Sequence, residues 1–137
     1  MKKLFFLGSI IAPLLIGGAL YMALSPEVFF SKITMNIYGL RQIHFEHNFL
    51  LRFVRFYFLD MLWAYSLVFA LSFAIGNEAE CSEVLILAAI FSVAIEVLQK
   101  YNIMPGTYDW ADIIFELLAE IIAAFIIKNI KKEERDI

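Results

Sequence analysis

Residues 104–120 read MPGTYDWADIIFELLAE, and this stretch places four carboxyl groups along an otherwise apolar segment. They follow one another at spacings of three, four and four residues: Asp109, Asp112, Glu116 and Glu120. At 100° per residue these positions share roughly 80° of one helix face. Because a charged side chain in hydrocarbon is costly and usually functional, the stripe predicts a helix with polar chemistry on one side.

The composition of the whole chain is typical of a membrane protein. Of 137 residues, 62% are hydrophobic and 14 are phenylalanine, and the mean hydropathy is +0.78. Soluble domains average roughly 45–50% apolar residues, and the length suits one domain covering residues 1–137. The net charge of -3 argues against nucleic acid as a partner, and the single Cys81 cannot form an internal disulfide bond.

Four segments approach the length of about 20 apolar residues that crosses a bilayer as a helix. They cover residues 4–24, 56–75, 84–101 and 111–127. The sequence therefore predicts an all-α integral membrane bundle of four transmembrane helices. The first segment follows Lys2 and Lys3 as a signal peptide would, but its long apolar run favours an uncleaved span. The same two lysines predict that both termini are cytoplasmic.

The connection between the first two spans, residues 26–55, predicts an interfacial amphipathic helix followed by a basic stripe. The stripe has helical spacing and consists of Arg41, His44, Asn48, Arg52 and Arg55. Two interpretations remain open. Either the arginines extend to the phosphates of any nearby lipid, or they form a cradle that selects a phosphorylated headgroup.

Further polar residues lie near the ends of the predicted spans: Asp60 in the second, and Glu96 and Gln99 in the third. The order of the spans brings these ends to the membrane face at which the fourth span begins. Six acids then converge from three helix ends: Asp60, Glu96, Asp109, Asp112, Glu116 and Glu120. Their convergence predicts a polar pocket at that face.

Structural roles for these acids remain open as alternatives. The alternatives are Asp109 as an N-cap with Asp112 completing a capping box, Asp60 paired with Arg52 or Arg55, and Glu96 paired with Lys100. Glu120 has no basic residue near it in its span, so we expect a protonated group or a hydrogen bond from a hydroxyl. The candidate hydroxyls belong to Ser66, Ser72, Ser92 and the tyrosines.

No catalytic motif accompanies these acids. His44 and His47 have a spacing that can bind a metal ion, but the pattern favours surface histidines over a ligand pair. No cofactor is expected, although paired carboxylates are able to hold Mg²⁺.

The run EVLQ, from Glu96 to Gln99, is followed by a short loop and then by GTYDWAD, from Gly106 to Asp112. This order resembles the VanZ-like membrane family, in which Glu-x-x-Gln closes one span and Asp-x-x-Asp begins the next region. The family positions matched here are Glu96, Gln99, Asp109 and Asp112, and the run LDMLWAY around Asp60 resembles short bacterial members. The resemblance covers residues 56–127.

The resemblance implies a multi-pass protein of the bacterial cytoplasmic membrane, linked to the cell envelope and to tolerance of teicoplanin-type glycopeptide antibiotics. This chain departs from the family pattern at three positions. Gly106, Glu116 and Ala119 stand where many members have Arg, Asn and Gly. If that Arg holds an anion in the family, Arg52 or Arg55 must supply the cation here.

The main functional hypothesis is a pocket for the headgroup of a membrane lipid, a lipid-linked glycan or another cell-wall precursor. Its residues are Asp60, Glu96, Gln99, Asp109, Asp112, Glu116, Arg52 and Arg55, with Glu120 as a buried acid beneath them. The alternatives are a membrane enzyme acting on a lipid phosphate or glycan, a small proton-coupled transporter, and a structural membrane subunit. The sequence leaves the ligand, any reaction and the oligomeric state open.

Overall fold

The computed structural model describes residues 2–24, 49–76, 80–104 and 108–135, and these residues form four helices without any strand. The helices are α1 (Lys2–Leu24), α2 (Phe49–Ile75), α3 (Cys81–Lys100) and α4 (Trp110–Arg135). The all-α prediction is confirmed for this part of the chain. The predicted interfacial helix lies outside the described residues, as do Arg41, His44, His47 and Asn48.

Three of these helices, α1, α2 and α3, are long and apolar enough to cross a membrane. They correspond to the first three predicted spans. The fourth helix is also long, but three carboxyl groups interrupt its apolar part, so length and composition alone do not mark it as membrane-spanning. The second helix begins at Phe49 rather than at residue 56, so Arg52 and Arg55 belong to the first turns of α2.

The second helix contains a π-helical turn, Val54–Phe58, between two α-helical parts. Such a turn inserts one residue into the helix and often lies at a functional site. This one carries Tyr57 and ends just before Leu59 and Asp60. The inserted residue therefore rotates the part of the helix that follows it. As a result, Asp60 points in a different direction relative to Tyr57 than it would on a regular α-helix.

Side-chain contacts show how the helices run relative to one another. The ring of Phe6, near the start of α1, lies 5.4 Å from the ring of Phe69, near the end of α2. Further along, Gly17 of α1 faces Leu62 of α2, so these two helices are antiparallel. Short connections reverse the chain again between α2 and α3 and between α3 and α4. The start of α2, the end of α3 and the start of α4 therefore share one end of the bundle.

An apolar core fills the bundle towards its other end. Its residues come from α2, α3 and α4: Val68, Phe69, Val84, Ala88, Ala123, Ala124 and Ile127. The small alanine side chains let the helices approach closely, as is common where helices pack within membranes. The polar residues and the apolar core are thus separated along the length of the bundle.

The fourth helix has its polar side turned inward and its apolar side turned outward. Glu116, Glu120 and Ala123 are buried against the other helices. Large apolar side chains on the opposite side are each 46–64% exposed: Ile114, Leu118, Ile121, Ile122 and Phe125. This arrangement is the reverse of a water-soluble amphipathic helix and is typical of a helix surrounded by lipid.

Candidate functional site

The site lies where α2, α3 and α4 meet, and it has two levels. The acidic mouth consists of Asp60, about three helical turns into α2, and of Glu96, Asp109 and Asp112, near the end of α3 and the start of α4. The buried acid pair consists of Glu116 and Glu120, about 6 Å and 12 Å further along α4 than Asp112 at 1.5 Å per residue. The predicted convergence of six acids from three helices is thus present in the fold.

Asp109 has a structural role at the start of α4. Its Oδ1 accepts a hydrogen bond of 2.9 Å from the backbone N–H of Ala111, as an N-cap side chain does. Its Oδ2 accepts a longer bond of 3.4 Å from the hydroxyl of Tyr57 on α2. The N-cap interpretation of Asp109 is confirmed, and the same carboxyl group also joins α4 to α2.

Glu96 joins α3 to the same helix start. Its carboxyl group is almost fully buried, and Oε2 accepts a hydrogen bond of 3.3 Å from the backbone N–H of Asp109. In a capping box this bond is made by the acid three residues into the same helix, which here is Asp112. Glu96 therefore takes, from a neighbouring helix, the role that the sequence assigned to Asp112.

The predicted ion pair between Glu96 and Lys100 is not formed. Glu96 points into the bundle, whereas the ammonium group of Lys100 lies 5.1 Å from the centre of the Tyr108 ring. A cation over an aromatic face is attracted by the ring's quadrupole. The interaction holds Lys100 beside the loop before α4, and the charge of Glu96 has no basic partner among the described residues.

Asp60 and Asp112 complete the acidic mouth. The charge of Asp60 interacts with that of Glu96, and the charge of Asp112 interacts with those of Asp60, Glu96 and Asp109. Within the described parts of the chain, none of these four acids forms an ion pair with a lysine or arginine, so the predicted pairing of Asp60 with an arginine is not formed there. Oδ1 of Asp112 is buried and accepts no hydrogen bond. The mouth therefore concentrates negative charge.

The buried acid pair lies deeper between the helices. Glu120 is 0% exposed and Glu116 is 5% exposed. The hydroxyl of Ser92 on α3 donates a hydrogen bond of 2.8 Å to Oε1 of Glu120, and Ser92 also lies near Glu116. Among the residues that the structure describes, Oε2 of neither glutamate has a hydrogen-bond partner.

The three serines proposed as donors to Glu120 thus have different roles. Ser92 is the donor, as the sequence predicted for one of the three. Ser66 instead donates to the backbone carbonyl of Leu62 in its own helix, at 2.9 Å. Ser72 is buried near the end of α2, and its hydroxyl has no partner in the described structure. Only the packing of α3 against α4 distinguishes Ser92 from the others.

The basic residues predicted for the site lie at its edge. Arg52 is exposed, and its charge acts on Tyr57, whose hydroxyl contacts Asp109. The guanidinium group of Arg55 lies 5.5 Å from the centre of the adjacent Phe56 ring. Arg52, near Tyr57, and Lys100, over the ring of Tyr108, are therefore the described cations that lie beside the mouth.

Gln99 is half-buried near the end of α3, one helical turn beyond Glu96. Its backbone carbonyl accepts a hydrogen bond of 2.9 Å from the N–H of Asn102, where the chain leaves the helix in a left-handed conformation with φ of 55°. Gln99 thus lies next to the mouth, but it is not part of the hydrogen-bonded contact between Glu96 and Asp109.

An aromatic wall borders the mouth, and the sequence did not predict it. It consists of Phe53, Tyr57 and Phe115, with ring centres 4.8–5.8 Å apart. Tyr57 lies three residues before Asp60, and this spacing indicates from the sequence that the site extends along α2. The sequence gives no such indication for Phe115, because its position against α2 depends on how the helices pack. The wall gives the polar mouth an apolar side.

The sequence left Mg²⁺ open as a ligand of paired carboxylates. Among the described residues, no group of three His, Cys, Asp or Glu side chains that could hold a metal ion is found. Binding of Mg²⁺ by a pair of these acids stays an untested prediction.

No protein-family model matches this chain, and neither a curated protein nor a solved structure matches it with significant similarity. The function of the site is therefore inferred from its chemistry.

Proposed function

We propose that this protein binds the polar headgroup of an envelope lipid or lipid-linked glycan at the acidic mouth. The observation that carries the proposal is the convergence of Asp60, Glu96 and Asp112 from three helices without a basic partner among the described residues. Carboxylates accept hydrogen bonds from hydroxyl groups at several angles and attract amines. A headgroup rich in hydroxyls or amines has the matching chemistry.

The neighbouring Arg52 indicates that the proposed ligand also carries a phosphate group. It is exposed on the first turns of α2, close to Tyr57 and therefore to Asp109 at the edge of the mouth. Guanidinium groups bind phosphate through two parallel hydrogen bonds. A lipid phosphate at Arg52 would place the rest of the headgroup over the acids, with its apolar parts against Phe53 and Tyr57.

The proposal includes a fourth membrane crossing by α4. Two observations support it: the carboxyl groups of α4 are turned into the bundle, and its outward side is formed by large exposed apolar residues. Lysines follow the apolar part, at the end of the bundle where α1 begins: Lys128, Lys131 and Lys132. With positive residues inside, both termini are cytoplasmic and the mouth faces the extracytoplasmic side of a bacterial cytoplasmic membrane.

The resemblance to the VanZ-like family fits this assignment. The residues that carry the resemblance, Glu96, Gln99, Asp109 and Asp112, lie in or beside the mouth. We therefore propose the cellular role that the resemblance implies, an influence on tolerance of glycopeptides and other envelope-directed antibiotics. Loss of the mouth carboxylates should then change tolerance without loss of the protein from the membrane.

The lipids that remain bound to the purified protein test the proposal. The protein is purified from bacterial membranes as wild type, Asp112→Asn and Glu83→Gln, and the retained lipids are identified by mass spectrometry. Glu83 is exposed in the first turn of α3, where its Oε2 accepts a hydrogen bond of 3.2 Å from the backbone N–H of Glu80. Glutamine is an accepted residue at this position of a capping box, so this variant is a matched control for loss of one acid.

We expect the wild type and Glu83→Gln to retain the same phosphate-bearing lipid and Asp112→Asn to lose most of it. Retention by the folded Asp112→Asn protein that equals wild-type retention would contradict the proposal. Antibiotic tolerance of cells producing the three proteins should follow the same order as lipid retention.

A further inference from the structure

The buried acid pair has an unusual environment, which the headgroup proposal does not use. Glu120 is 0% exposed and Glu116 is 5% exposed, and Oε2 of each has no hydrogen-bond partner within the described parts of the chain. The groups that face the pair are Ser92 and Glu96 from α3, Asp60 from α2, and the two glutamates themselves. Among the described elements α1 contacts only α2, so it adds no charge here.

Burial of two carboxylates in this environment has a large energetic cost. Transfer of an ion from water to a medium of low dielectric constant costs several kcal/mol even after relaxation, unless a counter-charge compensates it. In the described structure neither glutamate forms an ion pair with a lysine or arginine, and the acids nearby add negative charge. A proton bound to one of the glutamates removes its negative charge. It also gives a hydrogen atom to a carboxyl oxygen that no described residue donates a hydrogen bond to.

We propose that Glu116 and Glu120 form a proton-binding site inside the bundle, which exchanges protons with water at the acidic mouth. The geometry assigns the two oxygens of Glu120 different roles. Oε1 accepts the hydroxyl hydrogen of Ser92 at 2.8 Å, and Oε2 carries the proton. Ser92 is thus a positioning residue, because it holds the carboxyl group in one orientation.

The route of exchange follows one face of α4. Asp112, Glu116 and Glu120 are one helical turn apart, about 6 Å per step, and Oδ1 of Asp112 is a buried acceptor without a partner. Beyond Glu120 the same face continues with Ala123, Ala124 and Ile127 of the apolar core. The buried pair therefore lies one and two helical turns below Asp112 on the same face of α4, and apolar residues follow it towards the other end.

The proposed process forms and breaks only O–H bonds. A proton from water at the mouth binds to a carboxylate oxygen of Asp112, passes to Glu116 and then to Glu120, and returns by the same route. No electron is transferred and no group leaves. Because the core closes the other end, the site binds and releases protons at one membrane face.

Infrared spectroscopy of the full-length protein in lipid bilayers tests this proposal. A protonated carboxyl group has a carbonyl stretching band that is resolved from the bands of carboxylates, and the band shifts when the proton is replaced by deuterium. Spectra of the wild type, Glu120→Gln, Glu116→Gln and the control Glu83→Gln are recorded at neutral pH in H₂O and in D₂O. Glutamine closely matches a protonated glutamate in shape, and circular dichroism verifies the helical fold.

We expect a protonated-carboxyl band in the wild type and in Glu83→Gln, a partial loss of the band in each of the other two variants, and a shift in D₂O. A wild-type spectrum without the band at neutral pH overturns the proposal, and this result does not depend on whether any variant folds. A band that persists unchanged in folded Glu116→Gln and Glu120→Gln, or that fails to shift in D₂O, also overturns it. Lipid retention at the mouth is measured separately, so the two proposals can fail independently.

Discussion

At the scale of single residues, the hydrogen bond between Ser92 and Glu120 joins α3 to α4 through two side chains. The two side chains are fully buried and lie 2.8 Å apart, so no water competes for the hydrogen bond. A buried acceptor that loses its donor retains the cost of its desolvation. The contact therefore contributes to the stability of the bundle as well as to the orientation of Glu120.

Ser92→Ala should lower the free energy of unfolding by about 1–2 kcal/mol, because both oxygens of Glu120 would then be without a donor. Ser66→Ala is the matched control. Ser66 is equally buried, but it donates to Leu62 within its own helix, so its loss should cost less. Chemical unfolding in mixed micelles measures both variants. A loss for Ser92→Ala no larger than the loss for Ser66→Ala would show that the contact between the helices adds no stability.

The residues of the site differ in how far the sequence predicts them. The helical spacing of Asp109, Asp112, Glu116 and Glu120 places them on one face, because that spacing follows from the geometry of the helix. Glu96 was identified as a site residue, but its actual partner was not predicted. The bond to the backbone of Asp109 depends on how the loop between α3 and α4 closes, and no local pattern reports it.

At the scale of the helix, the start of α4 is held by two carboxyl groups from different elements. Asp109, directly before α4, accepts a hydrogen bond from the backbone N–H of Ala111, and Glu96 of α3 accepts one from the backbone N–H of Asp109. Residues 105–107 between these elements lie outside the described residues. The two caps fix where α4 begins relative to α3, and they therefore fix the distance between Glu96 and Asp112.

Glu96→Ala and Glu96→Gln should differ in their effects. Alanine removes the acceptor for the N–H of Asp109 and should cost about 1 kcal/mol, the usual cost of a lost cap. Glutamine retains an acceptor oxygen and should preserve most of the stability while it removes the charge from the mouth. The control Glu83→Gln should have little effect. Equal stability losses for the two Glu96 variants, measured by thermal unfolding, would exclude the capping role.

The outward side of α4 gives a second prediction at this scale. Leu118→Lys places a charge in the middle of a side that we propose faces lipid, where a lysine costs about 2.5–3.5 kcal/mol. We expect a large decrease in thermal stability and in the amount of protein in the membrane. Asn129→Lys, beyond the apolar part, should be tolerated. If both variants behave as the wild type does, α4 faces water and does not cross the membrane.

The helices themselves were more predictable than their boundaries. Apolar runs identify α2 and α3 because membrane helices need them, but α2 begins earlier, at Phe49, since the arginines there do not interrupt a helix. The π-helical turn at Val54–Phe58 was not predicted, because it is an arrangement of backbone hydrogen bonds that no residue type specifies. The inward direction of Glu120 was inferable, since a charge facing lipid is too costly.

At the scale of the whole molecule, the acids extend from the mouth into the interior of the bundle. The mouth carboxylates attract cationic groups only while they are ionised. A fall in pH protonates carboxylates, removes negative charge and should weaken the binding of an amine-bearing headgroup. The direction of this pH effect on binding follows from the charges. Among the described residues, no lysine or arginine is paired with the mouth carboxylates, so their protonation releases no basic side chain.

Binding of a short-chain aminophospholipid to the purified protein should therefore weaken as the pH falls from neutral. In Asp112→Asn the binding should be weaker at neutral pH and should depend less on pH, because one of the titrating groups is absent. Fluorescence titration with a labelled lipid measures both proteins. Tighter binding at lower pH would contradict a carboxylate-based site.

We propose above all that α2, α3 and α4 bring their acids together at one membrane face. Single cysteines at Arg52, Gln99 and Tyr108 near the mouth, and at Ser82 and Lys128 near the other end, are introduced into a Cys81→Ser background. Labelling with a membrane-impermeant maleimide in sealed cells reports the side of each. We expect positions 52, 99 and 108 to be labelled from outside and positions 82 and 128 to be labelled only after permeabilisation. Labelling of 52, 99 and 108 from different sides would contradict it.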